Sequence, residues 1–259
     1  MDRFGERTKA IIEILFFLTI LISVFVAVDI IIEQAYAHWV KKGVMIILGV
    51  LVILLKKKPR EYGIVPSNPK LSIKWSCIIM LIFIVPAGIL AIPNSVVSYS
   101  RLLVDFIWFM IFTGVAEEVV FRGYIQSRLN ECFTREYQGF VGFRVRWHEG
   151  TLITGALIFG PMHLLNAIDF RTGEINVDFS LVFVVIMASL FGVFFGVIRE
   201  VSGDIIICAV FHGILNFTTM SLLMRAMGTS YWVPLAISFS VFFGFLFEKF
   251  IGDFTREAT

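Results

Sequence analysis

Apolar stretches long enough to cross a lipid bilayer recur along the whole sequence and leave few folds open to it. A helix needs about 20 mostly apolar residues to span the hydrocarbon core, and here 58% of the 259 residues are hydrophobic and only 16% are charged. Soluble domains carry about 25% charged residues. We therefore predict an all-α membrane protein, a single polytopic domain over residues 1–259 in which about eight spanning helices enclose an intramembrane polar site. The predicted spans cover residues 10–32, 38–55, 73–92, 102–128, 151–168, 178–198, 203–224 and 231–250.

Basic residues fall mainly on alternate connections of this eight-span arrangement. With the N-terminus inside, all but five of the 22 Lys and Arg residues lie in inner segments. Lys and Arg accumulate in cytoplasmic loops, so the asymmetry predicts a multi-pass protein of the cell membrane whose N- and C-termini are both cytoplasmic. The net charge of +2 gives no reason to expect a nucleic-acid partner. The five basic residues assigned to outer segments are Lys41, Lys42, Arg101, Arg171 and Arg225.

The fourth span carries three charged residues, Glu117, Glu118 and Arg122, in an otherwise apolar run. Charged groups inside a bilayer are costly and usually mark a functional site. On a helix, Glu118 and Arg122 lie at i and i+4 on one face, whereas Glu117 is turned away by about 100°. We expect Glu118 and Arg122 to form a structural ion pair and Glu117 to contact a group on another helix. The alternative is that these residues are only the polar end of a spanning helix.

Two later spans carry polar residues at a comparable depth. The fifth holds His163 in the run IFGPMHLLN, and the seventh holds His212 and Asn216, one turn apart in VFHGILNF. At about 1.5 Å per residue, these three groups and Glu117 all lie roughly 14–20 Å from the inner membrane edge. Polar side chains that faced lipid would be left without partners. We therefore predict that the four groups share one interior site.

The residue types at this site suit hydrolysis. A buried carboxylate can act as general base toward water, and a neighbouring imidazole can orient that water or relay its proton. A second imidazole and a carboxamide can donate hydrogen bonds to the oxyanion formed on an attacked peptide carbonyl.

The same residues could instead hold zinc, with Glu117, His163 and His212 as ligands and an activated water in the fourth position. We favour the metal-free arrangement, with no cofactor, because a glutamate used as a ligand would leave no obvious base. The only i, i+4 pair among these groups, His212 and Asn216, also includes an amide, which zinc rarely takes.

Three runs, EEVVFR, FGPMH and HGILN, occur in this order within about residues 112–220. Together they resemble the motifs E-E-x-x-x-R, F-x-x-x-H and H-x-x-x-N of the CPBP family of intramembrane proteases, which includes the type II CAAX prenyl endopeptidases. The resemblance implies that Glu117 and His163 activate water and that His212 and Asn216 form the oxyanion hole. Glu118 and Arg122 are then structural support. The family is often labelled a metalloprotease family, so the resemblance does not decide between the two mechanisms.

The function implied by this resemblance is a membrane-embedded, glutamate-dependent endopeptidase of the CAAX prenyl protease type 2 kind. It would cleave near the C-terminus of a prenylated CAAX-type substrate, and its partners would be the lipid bilayer and a prenylated or hydrophobic peptide. One alternative is processing of non-prenylated peptides, as in bacteriocin maturation or immunity. Another is a proton-coupled transporter, in which buried Glu and His relays are also expected, although no inverted repeat with paired broken helices is evident.

The longest break between predicted spans covers residues 129–150 and mixes arginines with aromatic residues. Such a composition suits a segment that lies in the inner membrane interface. A solvated loop is the alternative interpretation.

Overall fold

The computed structural model describes residues 3–91, 98–227 and 232–256. These residues form eight long helices and one short hairpin, with π-helical turns in α4, α5, α7 and α8. The helices are α1 (Arg3–Ile31), α2 (Gln34–Lys56), α3 (Pro69–Ala91), α4 (residues 99–130), α5 (Glu149–Ala167), α6 (Phe179–Ser202), α7 (residues 206–227) and α8 (Trp232–Arg256).

Seven of these eight helices, all except α4, are long and apolar enough to cross a membrane. Helix α4 is the longest, and it carries Glu117, Glu118 and Arg122 near its middle. The predicted all-α membrane fold is confirmed. Most helices begin or end a few residues beyond the predicted spans, because polar end turns continue the helix. The predicted end of the third span at residue 92 and the predicted start of the last at residue 231 lie outside the described residues.

Helices α4 and α6 run parallel, and three hydrogen bonds join them in register. Each donor lies one turn beyond the previous one on α4, and each acceptor lies one turn beyond the previous one on α6. We call this set the polar ladder. Arg122 donates to the carbonyl of Gly192 at 3.1 Å, Gln126 to the carbonyl of Gly196 at 2.9 Å, and Asn130 to the carboxylate of Glu200 at 3.0 Å.

Two glycines allow the helices around α4 to approach closely. A Cβ at Gly114 on α4 would collide with the carbonyl oxygen of Ala209 on α7, and a Cβ at Gly155 on α5 would collide with the backbone of Val193 on α6. Small residues at such crossings let helix backbones pack directly against each other in a membrane. The first of these contacts fixes α7 against the part of α4 that precedes the glutamate pair.

The segment between α4 and α5 forms a hairpin that packs against the bundle. Its strands β1 (Glu136–Tyr137) and β2 (Trp147–His148) pair in antiparallel register. Val145 and Trp147 are buried against Val197 of α6, while Arg144 and Arg146 are exposed. The alternation places apolar side chains toward the helices and basic ones outward. The segment is therefore ordered on the bundle and is not a plain solvated loop.

Both ends of the described chain lie at the same end of the bundle. Lys56 at the end of α2 binds Glu13 near the start of α1 at 2.7 Å. Lys74 near the start of α3 binds Asp253 near the end of α8 at 2.8 Å. A short connection joins α2 to α3, so these two ion pairs are on one side. The cytoplasmic orientation of that side stays a prediction.

Candidate active site

Glu118 on α4 is fully buried and is shared by two partners. Its Oε2 lies 3.1 Å from Nε of Arg122, which is the ion pair expected from i, i+4 spacing. Its Oε1 lies 2.8 Å from Nδ1 of His212 on α7. Because an ionised carboxylate can only accept, Nδ1 of His212 carries a proton. Glu118 therefore orients His212 in addition to balancing the charge of Arg122, and residue spacing within α4 gave no sign of this second role.

Arg122 is enclosed on every side. Its guanidinium carbon lies 4.4 Å from the centroid of the Phe159 ring and 5.7 Å from that of the Phe195 ring. One terminal nitrogen donates to the carbonyl of Gly192 at 3.1 Å, and the residue has no exposed surface. Stacking on aromatic faces stabilises a desolvated cation. Arg122 is thus a structural cation that connects α4 to α5 and α6.

Glu117 finds its partner on α2, where Nζ of Lys42 contacts its Oε1. Its Oε2 lies 3.8 Å from Nε2 of His212, which is too long for a hydrogen bond. Lys42 belongs to the third turn of α2, inside the second predicted span, and its assignment to the outer side of the membrane stays a prediction. The sequence analysis did not assign Lys42 to the site, because a lysine near the end of a span ordinarily indicates only on which side of the membrane that end lies. The available signal was that Lys42 falls inside an apolar helix.

His163 lies where α5 tightens into its last turn, a 3₁₀ segment from His163 to Ala167. Its Nδ1 is 3.0 Å from the carbonyl oxygen of Phe159. A carbonyl can only accept, so Nδ1 carries a proton, and Nε2 is the ring nitrogen that no described residue engages. The rings of His163 and His212 both pack against the ring of Phe159, at centroid distances of 5.1 Å and 6.0 Å. His163 therefore lies on the same side of α5 as the groups around His212.

Asn216 lies one turn beyond His212 on α7 and is partly buried. Its side chain makes no hydrogen bond to another described residue, so its carboxamide is available to a ligand. The structure thus brings Glu117, Glu118 and His212 into direct proximity, and it connects His163 to this group through the shared ring of Phe159. Asn216 shares a helix face with His212.

The charges at the site are arranged as two ion pairs. Glu118 faces Arg122 and Glu117 faces Lys42, so each adjacent carboxylate has its own cation. Oε2 of Glu117 is buried and has no hydrogen-bond partner among the described residues. Buried carboxylate oxygens normally accept at least one hydrogen bond. This oxygen, which lies 3.8 Å from Nε2 of His212, is therefore a suitable acceptor for a water molecule.

The residues nominated as zinc ligands do not fit a metal in this arrangement. Zinc sites need three or four donor side chains that converge on one point. Here the ammonium of Lys42 occupies one oxygen of Glu117, and a second cation at that carboxylate would be repelled. Within the described residues, no three His, Cys, Asp or Glu side chains are grouped so that they could hold a metal ion.

Comparison with known families gives a match over the helices that carry the site. Residues 99–218 match the model of a family described as type II CAAX prenyl endopeptidase Rce1-like. No curated protein and no solved structure matches the chain. The matched range runs from the first turn of α4 into α7 and includes Glu117, Glu118, Arg122, His163, His212 and Asn216. The resemblance that the three sequence motifs predicted is therefore confirmed over residues 99–218, which are similar to this Rce1-like family.

Proposed function

We propose that this protein is an intramembrane endopeptidase that hydrolyses a peptide bond near the C-terminus of a prenylated CAAX-type substrate with a water activated by Glu117. The observation that supports this most is the carboxylate of Glu117. One of its oxygens is bound by Lys42, and the other is buried, faces His212 and lacks a hydrogen-bond partner among the described residues. A carboxylate with one free oxygen in a partly desolvated site can take a proton from water. The family match supports the peptidase class.

In the first step, Glu117 and His163 bind the attacking water. Oε2 of Glu117 and Nε2 of His163 are both acceptors, so each receives one O–H of the same water molecule. This directs a lone pair of the water oxygen toward the substrate carbonyl. As the new C–O bond forms, one proton passes to Glu117.

In the same step, His212 and Asn216 stabilise the oxyanion. Nδ1 of His212 already donates to Glu118, so Nε2 can donate only when the ring is doubly protonated. The buried carboxylate of Glu118 supplies the counter-charge for that imidazolium. The carboxamide of Asn216, which is not engaged by any described residue, provides a second donor from the same helix.

In the last step, Glu117 returns its proton to the leaving nitrogen as the C–N bond breaks. The products are a carboxylic acid, which keeps the second proton of the water until it ionises on release, and a free amine. Glu117 is then ionised again and remains paired with Lys42. The cycle needs no serine or cysteine nucleophile, and it leaves Glu118 unprotonated throughout.

The test is incubation of the purified protein in detergent with one CAAX peptide in farnesylated and unfarnesylated forms, followed by mass spectrometry. Cleavage of the farnesylated peptide near its C-terminus is expected, and the Glu117→Gln variant should show none above background. Equal cleavage of both forms would instead support the processing of non-prenylated peptides. Folded wild-type protein that cleaves neither form would contradict the proposal.

A further inference from the structure

Lys42 contacts the candidate base from outside the region that carries the family motifs. It lies on α2, well before the matched residues 99–218, yet its Nζ contacts Oε1 of Glu117. Its side chain is only 22% exposed, and that of Glu117 is 11% exposed. A lysine inside a spanning helix usually extends toward the membrane surface. Lys42 instead points toward the site.

We propose that Lys42 is a positioning residue that selects which oxygen of Glu117 acts as the base. This inference rests on the proposed role of Glu117. The two oxygens of a free carboxylate are equivalent and exchange by rotation of the side chain. An ammonium held on Oε1 removes that equivalence, because it fixes the plane of the carboxylate and leaves Oε2 toward His212 and the water.

The charge of Lys42 is needed for a second reason. Glu117 and Glu118 are adjacent, and Arg122 balances only Glu118. Without Lys42, Glu117 would lose the cation that contacts its Oε1, in a largely buried site beside another carboxylate, which is strongly unfavourable. The carboxylate would then be expected to turn away or to lose its charge. In either case it would no longer present an ionised oxygen to water.

The neighbouring residue Lys41 provides a matched control. It lies on the same helix with a side chain that is 25% exposed, and it binds Asp29 on α1 at 2.9 Å. Lys41 and Lys42 therefore each join α2 to another helix through one partly buried ion pair. They differ in that the partner of Lys42 is the candidate base and that of Lys41 is not.

The experiment compares Lys42→Met with Lys41→Met in the peptide cleavage assay and in thermal unfolding. Both variants lose one ion pair, so Tm should fall in each, and it should fall further in Lys42→Met because Glu117 is more buried than Asp29. Only Lys42→Met should lose kcat, by about 10- to 100-fold, as expected when a reacting group is misplaced by about 1 Å, with KM changed less than about twofold. Lys42→Arg should recover part of kcat, because it keeps the charge but not the shape of the ammonium.

A kcat for Lys42→Met within about twofold of wild type would overturn the inference while leaving the proposed function standing. Wild type that cleaves no peptide would overturn the proposed function instead. If Lys42→Met does not fold, Lys42→Gln, which keeps a hydrogen-bond donor but no charge, takes its place with the same criterion. A double-mutant cycle in Tm between Lys42→Met and Glu117→Gln tests the contact without any substrate. Strictly additive effects would overturn it, whereas Lys41→Met with Glu117→Gln should be additive.

Discussion

The two sides of helix α4 use polar residues in different ways. On the side facing α6, Arg122 and Gln126 donate to backbone carbonyls in the polar ladder. On the side facing α2 and α7, Glu117 and Glu118 meet Lys42 and His212. Backbone carbonyls cannot gain or lose a proton at neutral pH, but lysine, glutamate and histidine side chains can. A polar residue inside a membrane helix therefore indicates chemistry only when its partners are themselves titratable.

The largest effect is expected for Glu118→Gln, because Glu118 belongs to both sides. The change leaves Arg122 buried without its counter-charge, which typically costs about 3–5 kcal/mol. It also removes the carboxylate that orients His212. Both Tm and the kcat of the remaining folded protein should therefore fall, as measured by thermal unfolding and peptide cleavage. A variant that loses stability but keeps kcat would show that Glu118 serves the scaffold alone.

Asn216→Ala should lower the rate of cleavage without lowering stability. Removing one oxyanion donor typically lowers kcat by about 10²–10³, or about 2.7–4 kcal/mol in the barrier. The side chain of Asn216 makes no hydrogen bond to another described residue, so little change in Tm is expected. Steady-state kinetics would separate the parameters. A rise in KM with unchanged kcat would mean that Asn216 binds the substrate in its ground state, and the oxyanion role would have to be abandoned.

Gln126→Leu should affect only the side of α4 that faces α6, and so lower stability without lowering the rate of cleavage. It removes one buried side-chain hydrogen bond to Gly196, whose carbonyl lies within helix α6, at a cost of about 0.5–1.5 kcal/mol. Thermal unfolding should show the loss, while kcat of the folded protein should stay at the wild-type value. A large fall in kcat at a temperature where the variant is fully folded would mean that the two sides of α4 are not separable.

The smallest effect concerns Asp204, a buried carboxylate in the turn between α6 and α7 with no ion-pair partner among the described residues. Burial raises its pKa, and hydrogen bonds from Ser72 and backbone N–H groups offset part of the shift. A raised pKa in the folded state stabilises the protein below the unfolded pKa of about 3.9, and this stabilisation is lost as pH rises through the folded pKa.

Asp204→Asn keeps the site neutral at every pH. The Tm of this variant minus that of wild type should therefore increase as pH is raised from about 4 to about 7. Thermal unfolding at several pH values gives this difference directly. A Tm difference that does not change with pH would show that Asp204 keeps its ordinary pKa.

Hydrophobicity and helix periodicity were sufficient to predict the eight helices and the pairing of Glu118 with Arg122. Both depend on local sequence, through apolar length in the first case and i, i+4 spacing in the second. The expectation that Glu117 meets a group on another helix followed from the same spacing, but the identity of that group did not. Lys42 precedes Glu117 by 75 residues, and only packing of α2 on α4 brings them together.

The hairpin between α4 and α5 and the polar ladder were also beyond the sequence pattern. Strands of two residues are too short to show alternation over several positions. In the ladder, Arg122 and Gln126 are bound by carbonyls of glycines, so no acceptor side chain marks the contact. Interactions with the backbone leave no complementary residue type that a sequence reader could recognise.

The central claim is that Glu117 is the base, and the most direct test is the cleavage rate of Glu117→Gln on the farnesylated peptide. The matched control is Asp29→Asn, which breaks the ion pair between Asp29 on α1 and Lys41, the neighbour of Lys42 on α2. Loss of a general base lowers kcat by about 10²–10⁴. The kcat of Glu117→Gln should therefore fall by that factor with little change in KM, while Asp29→Asn keeps the wild-type kcat. Cleavage by folded Glu117→Gln at the wild-type rate would contradict the account.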